Sequence, residues 1–109
     1  MIEPWEDLMI VDRTVLNCKW GKGDEVVEAF KAVFAMPQPE GSTGGRILTD
    51  LSGEFFRVVL ETQFENLAAW ERWRATMFTS PEFGELFGRT ADLIVSGTQE
   101  FYTVEATVG

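Results

Sequence analysis

Along this chain the spacing of apolar residues switches from two to three or four and back again, and each switch marks the edge of a predicted element. The run "LMIVDRTVLNCKW", Leu8 to Trp20, has the β-branched content of a strand, with Leu16, Cys18 and Trp20 on one face and Arg13, Val15, Asn17 and Lys19 on the other. Asp24 is placed to cap a helix from Glu25 to Ala35, in which Val26, Val27, Phe30, Val33 and Phe34 recur at helical spacing and which Pro37 ends. "PQPEGSTGG" has the composition of a long surface loop. "RILTD" and "EFFRVVLETQ" predict two strands around "LSG", where Gly53 can take the positive φ of a short hairpin. In the second of these, Phe56, Val58 and Leu60 share one face while Phe55, Arg57, Val59 and Glu61 share the other. Asn66 is a cap for a helix starting at Leu67. Ser80-Pro81 then opens a fresh helix carrying Phe83, Leu86, Phe87, Ala91 and Ile94 and ending near Gly97. "TQEFYTVEA" is the last predicted strand, and the polar Met1 to Asp7 is expected to be a mobile tail that Trp5 could anchor.

The resulting order, β-α-β-β-α-β with the second helical region broken near Thr79 to Pro81, predicts an α+β ferredoxin-like sandwich in a single domain over residues 8–109. Its antiparallel four-stranded sheet has both helical regions on one face. The other face carries Val15, Phe55 and Val59 among Asn17, Arg57 and Glu61. That mixture is too apolar for water and too polar for an ordinary core, and it predicts a second copy of the chain packed sheet to sheet around a partly polar cavity.

Charge and cysteine content narrow the chemistry. A formal net charge of -9 opposes nucleic acid and anionic membranes as partners. One Cys and no His leave little for zinc, copper or imidazole chemistry, so no metal site is expected. Cys18 reads as a small buried hydrophobe. No apolar run is long enough to span a bilayer and no signal pattern is present, so the expectation is a soluble cytoplasmic protein.

On the helical wheel from Leu67 to Phe78, Trp70 and Met77 lie at the centre of the apolar stripe, with Trp73 toward its edge beside Arg74. Trp70 is therefore expected to pack, and Trp73 to lie either at the core edge or on a pocket or dimer wall. Arg57 and Glu61 share a strand face. They form either an ion pair or dimer contacts, or else Arg57 or Arg13 orients an anionic or phenolic ligand while Glu61 accepts its proton. Asn17 is a satisfied sheet polar group or a donor to substrate oxygen, and Tyr102 a packed strand residue or a phenolic donor. "SGEFFRVVL" has a faint likeness to an RNA-recognition strand, which the acidic charge opposes, and "GSTGG" lacks the lysine of a phosphate loop.

"GKGDEVVEAFKAVF", "VVLETQFENLAAWERW", "SPEFGELF" and "LIVSGTQEFYTV" together resemble the dimeric α+β barrel superfamily, and within it the NIPSNAP-like and antibiotic-biosynthesis-monooxygenase-like branches. The resemblance covers roughly Leu8 to Val104. It implies a homodimer joined through the sheet face, with a pocket for a small apolar or aromatic molecule. The leading expectation is a cofactor-independent oxygenase in which Glu61 and Asn17 serve catalysis and Arg13, Arg57, Trp70, Trp73 and Tyr102 bind the ligand; the alternative is a non-catalytic binding or assembly protein. Haem-degrading members use a first-strand Asn and a helical Trp, which Asn17 and Trp70 match, and an axial His, which this chain lacks. Haem ligated in the usual way is accordingly not expected, and the cofactor-independent reading calls for no other cofactor.

Overall fold

In a computed structural model, which describes residues 8–53 and 55–109, seven elements follow one another: β1 (Ile10–Cys18), α1 (Gly23–Ala35), β2 (Ser42–Thr49), β3 (Arg57–Phe64), α2 (Leu67–Phe78), α3 (Pro81–Ala91) and β4 (Ile94–Thr103). The strands form one antiparallel sheet in the order β2-β3-β1-β4, the ferredoxin-like arrangement predicted above. The predicted tail and its Trp5 lie outside the described residues.

Alternation along the strands decides which face the helices cover. Leu16 and Cys18 of β1 and Val58 and Leu60 of β3 join Val26, Phe30 and Val33 of α1, Met77 of α2, and Phe83 and Leu86 of α3 in the main core. A smaller cluster of Ile10, Phe64 and Ala69 fills the other end of the same layer, and Trp73 packs against both. All three helices thus lie on one face. Asn66 and Ser80 cap α2 and α3 as predicted, their side chains accepting from the backbone N–H groups of Ala69 and Phe83.

Several predicted boundaries move, each for a tertiary reason. Helix α1 begins at Gly23, so Asp24 lies in its first turn and does not cap it; Lys22 holds the cap position without a side-chain bond. The stretch "STGG", expected in a loop, is the start of edge strand β2, with a bulge between Ser42 and Gly44. A side chain at Gly45 would sit 3.1 Å from both the Phe34 ring and the Glu61 carbonyl, so the glycine lets α1 press on this strand. At β3, Phe55 and Phe56 belong to the turn and not to the strand: Phe56 has φ 60°, and Trp20 packs edge-on against both rings. Trp20 itself lies beyond β1 and is exposed. Ile94 fits the spacing of α3 but starts β4, because the Leu93 carbonyl accepts from Lys19 N–H and Ile94 pairs with Cys18.

Candidate functional site

The helix-free face of the sheet is built by the odd-numbered positions of β1 and their cross-strand partners. The registers place Leu48, Val59 and Val15 in one row across β2, β3 and β1, and Arg46, Glu61, Arg13 and Glu100 in the next row across all four strands. Charges alternate along that second row. Glu61, with a side chain only 14% exposed, accepts from Arg13 Nη1 at 2.9 Å and from Arg46 Nε at 2.7 Å, one guanidinium on each oxygen. Arg57 does not pair with Glu61. Its Nε instead donates to Asn17 Oδ1 at 3.4 Å, and Asn17 Nδ2 donates to Ser96 Oγ at 3.0 Å. Tyr102 donates its hydroxyl to Glu100 Oε2 at 2.9 Å, a bond that favours the neutral phenol and raises its pKa.

On the opposite side, between sheet and helices, lies a cavity of about 320 Å³. Its walls are chiefly apolar and aromatic: Trp73 and Phe78 from α2, Phe83 and Phe87 from α3, Phe34 from α1 and Leu16 from the sheet. Phe83 and Phe87 stack with centroids 5.8 Å apart, Phe78 leans on Phe83 at 5.5 Å, and Phe78 and Phe87 remain largely exposed. The Trp73 ring meets Phe64 and Phe83 edge-on, and its Nε1 donates to Gln38 Oε1. Gln38 in turn donates to the carbonyls of Val33 and Met36, so the chain leaving α1 fixes this wall.

Among the described residues Asp12 is the single charged one lining the cavity. It stands at an inward position of β1 between Ile10 and Leu16 and is 6% exposed. A buried carboxylate is costly unless its oxygens are hydrogen-bonded. Here Oδ2 accepts from Trp70 Nε1 and from Gln99 Nε2, both at 3.0 Å, and Oδ1 accepts from Thr14 Oγ1 at 3.0 Å. Trp70 is itself held edge-on against Phe101 at 4.8 Å. All three donors are neutral. Among the described residues no Lys or Arg reaches this carboxylate.

The residues predicted from sequence therefore divide into two groups. Arg13, Asn17, Arg57, Glu61 and Tyr102 lie on the open face, whereas Trp70 and Trp73 lie on the helix side. The sheet separates them, so Asn17, Arg57 and Trp73 do not line one cavity among the described residues. Within the helix-side group Trp73 both packs against the core and lines the cavity. Trp70 does more than pack: it holds Asp12. Asp12 was missed, and the signal for it was one carboxylate at an inward position of an otherwise apolar strand face. Cys18 is buried, and burial pushes its thiol pKa up, in keeping with a packing role. Among the described residues no group of His, Cys, Asp and Glu is arranged to hold a metal ion, and no helix is long and apolar enough to cross a membrane.

No family model and no curated protein matches the sequence. Solved structures do match the fold. A NIPSNAP-like domain protein from Burkholderia xenovorans is 20% identical with a TM-score of 0.73, over 87% of this chain and 84% of that one. An antibiotic biosynthesis monooxygenase-like protein from Nitrosomonas europaea is 15% identical with a TM-score of 0.77, over 98% of this chain and all 100% of the other. A third, of the same monooxygenase-like description, from Bacillus cereus, is 24% identical with a TM-score of 0.64, over 94% and 98% of the two chains. The chain shares the fold of NIPSNAP-like and antibiotic biosynthesis monooxygenase-like proteins, the groups its sequence motifs resemble.

Proposed function

We propose that this protein is a small-molecule-binding homodimer that takes an apolar or aromatic metabolite into the cavity between sheet and helices. One observation carries the reading: a largely aromatic cavity on which, among the described residues, Asp12 is the one carboxylate, held by three donors. Small-molecule sites combine apolar walls with a few placed polar groups, and about 320 Å³ lies at the low end of their usual range of roughly 300–1,000 Å³. The homodimer is supported by the open face, where Leu48, Val59 and Val15 form an apolar strip beside the alternating row of charges. A second copy laid on this face would cover that strip. A cytoplasmic location belongs to the same proposal, consistent with one buried thiol and no other cysteine.

For chemistry, the reading is cofactor-independent oxygenation, in which the protein removes a proton from an electron-rich substrate, orients it and excludes water while dioxygen reacts. The monooxygenase-like fold neighbours support it. A proton acceptor must come within hydrogen-bond reach of the substrate, and Asp12 is the carboxylate on the cavity. Glu61, the acceptor expected from sequence, lies on the far side of the sheet and does not line this cavity. The saturation of that open face favours a second reading, a non-catalytic binding or assembly protein.

Oxygen uptake with a panel of phenols and quinols separates these readings. The oxygenase reading expects Asp12→Asn to slow uptake by roughly 10²-fold or more, with Glu61→Gln near wild type. Equal rates for wild type and Asp12→Asn would take Asp12 out of the mechanism. No uptake with retained ligand binding would leave the binding role alone.

A further inference from the structure

We infer that the cavity selects a cation: its ligand carries a protonated amine that Asp12 receives while aromatic rings enclose the attached apolar body. The inference rests on the proposal that the cavity binds a small molecule, and it adds the ligand's charge.

Asp12 provides the first argument. Among the described residues it is the sole formal charge on the lining, and its hydrogen bonds come from an indole, an amide and a hydroxyl. Those donors satisfy the oxygens in direction but bring no opposing charge. An ammonium group would supply it and would make the shorter, stronger bond that charge assistance gives. An anionic ligand would instead meet a like charge.

The walls provide the second argument. Phe34, Trp73, Phe78, Phe83 and Phe87 line the space, and aromatic ring faces attract cations. Phe78 already displays this property, with the Arg74 guanidinium 4.7 Å from its ring centroid. Arg74 is not among the lining residues, and no Lys or Arg among the described residues lines the space. The chain's net charge of -9 points the same way, since it draws small cations toward the protein and repels anions.

The test uses three probes of one shape: phenethylammonium, 2-phenylethanol and 3-phenylpropionate. Each is titrated at neutral pH and low salt into the intact protein, with binding followed through the indole N–H resonances of Trp70 and Trp73. Expected is an affinity for phenethylammonium roughly tenfold or more above that for the alcohol, the propionate weakest, and a shift of the Trp70 indole that bonds Asp12. Asp12→Asn should lower ammonium affinity to the level of the alcohol. Because Asp12→Asn could disturb folding, Thr62→Lys serves as the second variant. Thr62 pairs with Asp12 across β1 and β3 on the cavity side, so a lysine there supplies the missing cation itself. It should abolish the preference for ammonium and retain affinity for the alcohol. Three affinities within about twofold, a tightest-binding propionate, or an undiminished ammonium preference in Thr62→Lys would each overturn cation selection while leaving a small-molecule site. Absence of binding by all three would overturn both.

Discussion

Replacing Trp70 with Phe isolates the contact that joins helix α2 to the buried carboxylate. The substitution keeps an aromatic ring near Phe101 and removes the indole N–H that donates to Asp12 Oδ2 at 3.0 Å. At 6% exposure Asp12 has little access to water with which to replace that donor, leaving it with Gln99 and Thr14. A hydrogen bond to a charged group contributes about 1.5–3 kcal/mol, and loss of one from a buried acceptor falls in that range. Allowing for the partly retained ring contact, the expected destabilisation is about 2 kcal/mol, or roughly 8–16 °C in Tm for a domain of this size. Urea denaturation at neutral pH measures it, at one fixed protein concentration because association would make apparent stability concentration-dependent. A double-mutant cycle with Asp12→Asn then separates this bond from ring packing and should give a coupling of about 1 kcal/mol or more. A loss below about 0.5 kcal/mol with additive single effects would show that Trp70 merely packs, and would refute the reasoning that Asp12 is held as a site.

The remaining predictions concern the open face and the backbone. Glu61→Gln should weaken the contacts to Arg13 and Arg46, costing about 1 kcal/mol in denaturation, since both arginines are partly solvated. Static light scattering at micromolar concentration should give twice the monomer mass, and a charge placed in the apolar row by Val15→Asp should shift it toward monomer; a monomeric wild type contradicts the homodimer. Tyr102 is the only tyrosine, so ultraviolet titration reports it alone: its pKa should lie above the usual tyrosine value and fall in Glu100→Gln. Because the folded state holds that proton more tightly, this contribution to stability is present below the unfolded tyrosine pKa and is lost as pH rises through the folded one. Gly41→Ala should be more damaging than Gly44→Ala. Both have positive φ, but a β-carbon at Gly41 would lie 2.6 Å from that of Ala69, whereas nothing lies near Gly44; thermal denaturation compares them.

Local signals were enough for the framework. Asn66 and Ser80-Pro81 announce helix starts through bonds made within three residues, and the alternation of β1 and β3 tells which residues share a face. Where the outcome depended on distant partners, the sequence pattern pointed elsewhere. Gly44 and Gly45 have linker composition; the approach of Phe34 and the Glu61 carbonyl explains why the strand requires a glycine at 45, while Gly44 takes φ 140° beside the bulge. Ile94 continues the spacing of α3, yet β1 pairs with it. Asp12 lies inward by simple alternation, but its donors Trp70 and Gln99 come from 58 and 87 residues away. The same alternation sends Glu61 and Arg57 to the face opposite Trp73, so residues close together in "RVVLETQFENLAAWERW" end up on two sides of one sheet.

A crystal structure of the protein soaked with phenethylammonium bears most directly on the assignment of the helix-side cavity. The phenyl ring is expected among Trp73, Phe78, Phe83 and Phe87, with the ammonium nitrogen within about 3 Å of an Asp12 carboxylate oxygen. A ligand bound instead on the open face beside Arg13, Arg57 and Glu61, with the cavity empty, would contradict it.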